Sequence, residues 1–213
     1  MTLTLDVKGV KGEELRKALK PALEILRSGG LAVYPTDTVY GLGCNPLDEA
    51  ALRRLLEVKG RVGKPLPLLT SSLADARRIA HFSPLALRLA EAFWPGPLTM
   101  VLPLGVELPA QVTMGLSKVG VRIPDSDVAR LLAEGLGGII VGTSANRSGE
   151  PPFKSFSDVY RWAAGRVDVV IDGGDCRYGL PSTVVEVEGD RVKLLRRGAL
   201  EPSRIVEVCG YIE

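Results

Sequence analysis

Apolar residues at Leu15, Ala18, Leu19, Ala22, Ile25 and Leu26 recur at helical spacing. They predict one amphipathic helix over 11–28, kinked at Pro21 and ended by Gly29-Gly30. A continuous apolar run at 31–34 predicts a buried strand. Asp48 is a natural cap for a helix from 49 to about 58, in which Leu52, Leu55 and Leu56 share a face. The pattern then predicts a strand at 66–69, helices over 73–80 and 84–93, and strands at 98–102 and 119–124. Asp125 or Ser126 starts a helix to about 134, and Gly137 to Val141 is a strand between glycines. A helix over 157–164, a strand over 167–171, a hairpin of 184–187 with 192–195 and a helix over 201–208 complete the chain. Strands and helices interleave irregularly, which predicts a three-layer α/β domain with a mixed, twisted sheet.

Between these elements lie four stretches of small, polar and glycine-rich sequence. They are Pro35 to Gly43, Lys59 to Pro65, Gly142 to Gly149 and Gly179 to Thr183. Such residues pack poorly into a core, and at strand ends of an α/β sheet they are placed to hydrogen-bond a ligand. In Lys59-Gly60-Arg61-Val62-Gly63-Lys64-Pro65, three cations stand among glycines and can grip phosphate. The stretch lacks the GxxxxGK[ST] pattern, and GxGxxG is absent from the chain. As plain structure, it would be a basic helix end favoured by the helix dipole. Arg122, on its strand, is either turned inward or solvated.

Composition narrows the chemistry. The 213 residues are 46% hydrophobic and 24% charged with net charge +2, which is too small to demand nucleic acid as a partner. Charge is instead local, at Arg53, Arg54, Lys59, Arg61 and Lys64 and again from Arg191 to Arg197. Cys44, Cys176 and Cys209 are odd in number and far apart, which argues against a zinc site or disulfide framework. No segment approaches 18 continuous apolar residues and the amino terminus has no apolar signal region, so the expectation is a soluble, cytoplasmic protein without a membrane segment. The single histidine, His81, is flanked by helical periodicity and is read as a partly buried structural residue. Ser-His-Asp and Cys-His mechanisms fall in rank accordingly.

Several motifs, taken in order, resemble the YrdC family. They are Pro35-Thr36-Asp37-Thr38-Val39-Tyr40-Gly41-Leu42, Lys59-x-Arg61 with Lys64-Pro65-Leu66, Pro95-Gly96-Pro97-x-Thr99 and Val119-Gly120-Val121-Arg122-x-Pro124. Ser144-Ala145-Asn146-x-Ser148-Gly149, Pro181-Ser182-Thr183-Val184 and Arg196-x-Gly198 complete the series, covering about 12–205. The resemblance implies a YrdC-like fold with a large concave electropositive groove, a single domain over 1–213 and no further carboxyl-terminal domain. It also implies synthesis of threonylcarbamoyl-AMP from L-threonine, bicarbonate or CO2 and ATP, with release of pyrophosphate. The product would supply the transferase machinery that makes threonylcarbamoyladenosine in tRNA.

By the family pattern, Lys59 and Arg61 would be catalytic and, with Lys64, would hold the triphosphate. Mg2+ would travel with ATP, without a metal site on the protein. Ser144, Asn146 and Arg196 would contact the nucleotide, and Thr36, Arg122 and Ser182 would bind threonine. Such chemistry asks for positioning and charge stabilisation more than for a histidine base. The chain departs from the pattern at Lys118, where threonine is usual, at Val62 and Arg197, where proline is frequent, and at Ser126-Asp127, in place of His-Pro. Two rival readings are weak RNA binding by the basic groove without catalysis, and carbamoyl transfer of the hydrogenase-maturation type. The first lacks a stacking motif. The second lacks the acylphosphatase-like and zinc-finger segments it needs.

Overall fold

The computed structural model describes residues 1–60 and 63–213. Among these, the strands are β1 (Leu3–Asp6), β2 (Ala32–Tyr34), β3 (Gly41–Gly43), β4 (Leu68–Thr70), β5 (Leu98–Pro103), β6 (Lys118–Arg122), β7 (Ile139–Val141), β8 (Thr143–Ser144), β9 (Val169–Asp172), β10 (Thr183–Glu188) and β11 (Arg191–Arg196). The helices are α1 (Gly12–Ala18), α2 (Lys20–Arg27), α3 (Glu49–Lys59), α4 (Leu73–Ile79), α5 (Pro84–Phe93), α6 (Ala110–Thr113), α7 (Asp127–Gly135), α8 (Phe156–Ala163) and α9 (Pro202–Cys209).

The expected α/β architecture is present, with its strands shared between two mixed sheets. One has the order β1-β9-β2-β3-β8, the other β11-β10-β5-β6-β4-β7. Both faces of the central strands are buried. In and beside β2, Leu31 and Val33 enter one apolar cluster while Ala32 and Tyr34 enter another. The second cluster takes Leu15, Leu19, Ala22 and Leu26 of the α1–α2 segment and Val128, Ala129, Leu132 and Ala133 of α7. The first takes α3, α5 and α8. Helices on two sides of a strand explain why β2 reads as a continuous apolar run.

The helix expected over 11–28 is two helices that meet at Leu19. Pro21 lies in the first turn of α2, where its missing N–H costs no hydrogen bond. The apolar stripe runs unbroken through both. β1 and β3 were not expected. β1 is a largely exposed edge strand of mixed polarity. The Gly-Leu-Gly of β3 reads as a turn, yet a Cβ on Gly43 would lie 2.9 Å from Tyr34 Cε1 and 2.2 Å from the carbonyl of Val141. Its glycines are there to let the Tyr34 ring pack on the strand. Between β7 and β8 the chain crosses from one sheet to the other at Gly142, whose added Cβ would lie 2.3 Å from Leu69 Cγ.

Candidate active site

Side chains on a strand alternate between faces. On the second sheet one face presents Val184 and Glu186 from β10, Thr99 and Val101 from β5, and Lys118, Gly120 and Arg122 from β6. These residues line a cavity of about 720 Å³, within the usual size of a small-molecule site. The loop before β3 (Thr36, Thr38 and Tyr40) and β8 (Thr143 and Ser144) close its other side. Among the described residues, four cations, Lys64, Lys118, Arg122 and Arg196, and one carboxylate, Glu186, are in the wall.

Asp48 caps α3 by accepting from the N–H groups of Ala50 and Ala51 at 2.9 and 3.0 Å. Gly60, in the left-handed conformation at φ 58°, ends the helix and fixes Lys59 in its last turn. Lys59 is 2% exposed. Its Nζ donates to Asn146 Oδ1 at 2.7 Å, to Ser144 Oγ at 3.1 Å and to the Ser144 carbonyl. Ser148 N–H returns a bond to the Lys59 carbonyl at 2.8 Å. Lys59 thus forms one cluster with a serine and an asparagine 85 and 87 positions further along the chain. Ser144 faces the cavity, while Lys59 and Asn146 hold it in place. Lys64 is in the wall. Arg61 lies outside the described residues.

Arg122 is turned inward and is 5% exposed. Its Nε donates to the Gly96 carbonyl at 2.9 Å and its Nη1 to Thr38 Oγ1 at 3.0 Å, and its Nη2 pairs with Asp37. Burial lowers its pKa, and the neighbouring Asp37 carboxylate opposes that shift. The Pro95-Gly96-Pro97 turn supplies the Gly96 carbonyl and, through Pro97, accepts from Thr183 N–H at 3.0 Å. Asp37 received no role from the sequence. Its signal was a lone acid among apolar and hydroxyl residues in Pro35 to Leu42, with Arg122 as its inward counterpart.

Thr36 is at the cavity wall, and its hydroxyl shapes the loop. It donates to the Val39 carbonyl at 2.6 Å and accepts from the N–H groups of Thr38 and Val39 at 3.1 and 3.2 Å. Ser182 Oγ lies 2.8 Å from Thr99 Oγ1. Arg196 donates from Nε and Nη2 to the Ser182 carbonyl at 3.2 and 2.8 Å. A Cβ on Gly198 would lie 2.3 Å from the Pro181 carbonyl, so the chain returning from β11 must be bare there. Of the expected residues, Thr36, Lys64, Arg122, Ser144, Ser182 and Arg196 share the cavity wall.

His81 is exposed and away from the cavity, contrary to the expectation of partial burial. The chain leaves α4 at Ala80, the last residue of the helical stripe, and the ring turns outward. Burial pushes the Cys44 thiol up to about 12 and the Cys176 thiol up to about 11, so neither is an activated nucleophile. Among the described residues no group of three or more His, Cys, Asp and Glu is placed to hold a metal ion. No helix of the described residues is long and apolar enough to cross a membrane. The site is therefore built from hydroxyls, amides and cations, a donor set suited to binding anions and orienting them.

The Sua5–YciO–YrdC family model, described as "Telomere recombination", matches residues 24–198. A threonylcarbamoyl-AMP synthase of Pyrococcus abyssi is 39% identical over 100% of this chain and 62% of its own length. The chain thus spans about three fifths of that relative. A threonylcarbamoyl-AMP synthase of Thiobacillus denitrificans is 38% identical over 84% of this chain and 96% of its own. The crystal structure of P. abyssi Sua5 complexed with L-threonine aligns with a TM-score of 0.92 at 38% identity, covering 100% of this chain and 63% of that one.

Proposed function

The chain belongs to the Sua5–YciO–YrdC family, and from that premise we propose that it is a threonylcarbamoyl-AMP synthase. It joins L-threonine, bicarbonate or CO2 and ATP into L-threonylcarbamoyl-AMP and releases pyrophosphate. The name shared by its relatives supports this reading, as does the L-threonine in the P. abyssi complex. The observation that carries it is that Ser144, held by Lys59 and Asn146, and the Arg122–Ser182 group face one cavity.

Arg122 has five N–H groups, and its three hydrogen bonds leave one on each terminal nitrogen. That pair suits the carboxylate of threonine, gripped bidentately. Ser182 flanks the amino acid, and Thr36, whose hydroxyl is engaged within its own loop, shapes the wall beside it. Ser144 and Lys64, with Arg61, hold the triphosphate, and buried Lys59 acts chiefly by fixing Ser144 and Asn146. Arg196 secures Ser182 just ahead of β10 and closes the nucleotide side. Threonine's amine attacks CO2 to give a carbamate. A carbamate oxygen then attacks the α-phosphorus, and the bond to the bridging oxygen breaks with its electron pair leaving on pyrophosphate. The protein's part is alignment of the two ligands and stabilisation of charge on the phosphoryl oxygens.

Mg2+ carried by the triphosphate would neutralise phosphate charge. Among the described residues the wall offers neutral oxygens and one carboxylate, which is paired to Lys118, a donor set that fits a nucleotide-borne metal better than a protein cage. The product goes to the tRNA threonylcarbamoyl transferase machinery. The test is pyrophosphate release from ATP with Mg2+, bicarbonate and single amino acids. Release that requires both threonine and bicarbonate is expected, and release indifferent to threonine overturns the proposal.

A further inference from the structure

One row of residues crosses the floor of the cavity. Glu186 pairs with Val101 and Val101 with Gly120. Beside Gly120 lies Pro67, 3.5 Å from where its Cβ would stand, and the Pro67 carbonyl accepts from Gly142 N–H. From β10 to β7 the row spans four interstrand spacings, roughly 19 Å at about 4.8 Å each. Between its ends it carries no charged or hydrogen-bonding side chain. A triphosphate seated on Ser144, just past Gly142, leaves room along this row for the base to reach Glu186.

That end of the cavity has a fixed polarity. Lys118 Nζ lies 3.0 Å from Glu186 Oε1 and 2.9 Å from Glu188 Oε2. These two ion pairs engage two of its three N–H groups, leaving a third for a ligand. Both Lys118 and Glu186 line the cavity and are a little over a quarter exposed. Apart from Ser117 and Arg196, the wall around them is apolar. Val184 lies on the floor, and Leu116 and Leu195, 54% and 47% exposed, stand at the mouth. An apolar slot with one donor and one acceptor side by side is the complement of a planar heterocycle.

We propose that Glu186 and Lys118 read the hydrogen-bonding edge of the nucleotide base and select adenine. The inference rests on the reading of this cavity as a nucleotide site. Adenine presents an N6 amine that donates to the Glu186 carboxylate and an N1 that accepts from the Lys118 ammonium. Hypoxanthine and guanine present the reverse, an O6 acceptor and an N1–H donor. Carboxylate then meets carbonyl oxygen and ammonium meets N–H, so the base is rejected by repulsion as well as by lost bonds. Lysine at 118 gives this chain a donor long enough to reach across the floor to β10.

The experiment compares kcat/KM for ATP and inosine triphosphate, by pyrophosphate release, in the unmodified protein and in Glu186→Gln and Lys118→Met. Inosine triphosphate keeps the sugar, the phosphates and the ring shape and inverts only the edge. The unmodified protein is expected to favour ATP by roughly 10- to 100-fold. In Glu186→Gln the new side-chain amide can present either a donor or an acceptor, so that variant should bring the ratio to within about threefold of unity. Lys118→Met should reduce the ratio as well, with unfolding midpoints checking that both variants fold. A ratio that is the same in all three proteins overturns the proposal while leaving the synthase reading intact. If the unmodified protein releases no pyrophosphate from either nucleotide, the synthase reading fails. Calorimetric Kd values for the two nucleotides in the same proteins then decide the base reading, and equal affinities in the unmodified protein overturn it.

Discussion

Asp37→Asn removes one charge from the most deeply buried ion pair described and leaves its shape in place. The Asp37 and Arg122 side chains are 1% and 5% exposed. With the carboxylate gone, the Arg122 guanidinium stays buried against the Gly96 carbonyl and Thr38 hydroxyl, both neutral. Breaking a buried pair from one side costs about 3–5 kcal/mol, because an uncompensated charge remains. Asparagine retains one acceptor, so the expected loss is about 3 kcal/mol. For a chain of this length that lowers the unfolding midpoint by roughly 6–12 °C. Urea unfolding of Asp37→Asn, Arg122→Met and the double variant measures it. The double variant should fall short of the summed losses by about 1–3 kcal/mol, the coupling of the pair. In the proposed reaction the loosened guanidinium should also raise KM for threonine more than KM for ATP. An Asp37→Asn protein within about 0.5 kcal/mol of the unmodified one would refute the reasoning.

Lys59→Met should abolish turnover and also cost about 2–4 kcal/mol, since it leaves Ser144 and Asn146 without the ammonium that joins them to α3; full activity in a stable variant would contradict this. Gly198→Ala should destabilise by about 2 kcal/mol or more, because its Cβ would stand 2.3 Å from the Pro181 carbonyl and 2.4 Å from the Ser182 carbonyl carbon, both backbone atoms that cannot give way; chemical unfolding reads it. With Cys44 pushed up to about 12 and Cys176 to about 11 by burial, an aromatic disulfide reagent at pH 8 should label Cys209 alone in the native protein and all three thiols in denaturant. The same two thiols ionise more easily once unfolded, near pH 8.5. Their contribution to stability is whole below that pH and declines as pH rises through about 11, which urea midpoints across pH 7–11 will follow.

Local signals made much of the architecture legible. The Asp48 cap, the Ser126 start of α7 and the β10–β11 hairpin are set by neighbours in sequence, and all are present. Long-range packing set the rest. The glycines of β3 look like a turn because their reason is the Tyr34 ring, seven or more positions away. Division of the strands between two sheets depends on Gly142 fitting beside Leu69, a contact with no sequence signature. At the site, the motifs told which residues gather but not how they bond. Thr36 looks like a ligand group, yet its hydroxyl folds its own loop. The inward setting of Arg122 became a definite arrangement only with Asp37 and the Gly96 carbonyl beside it. His81 shows the converse error, since helical periodicity carried past Ala80 predicts burial for a ring that the chain turns outward.

In the proposed reaction nucleotide and amino acid lie together in one hollow. A crystal structure with a non-hydrolysable ATP analogue and L-threonine tests it most directly. Phosphate oxygens are expected within hydrogen-bond distance of Ser144 Oγ, and the threonine carboxylate on the terminal nitrogens of Arg122. Triphosphate bound on a face that does not include Ser144, or threonine seated away from Arg122, would contradict it.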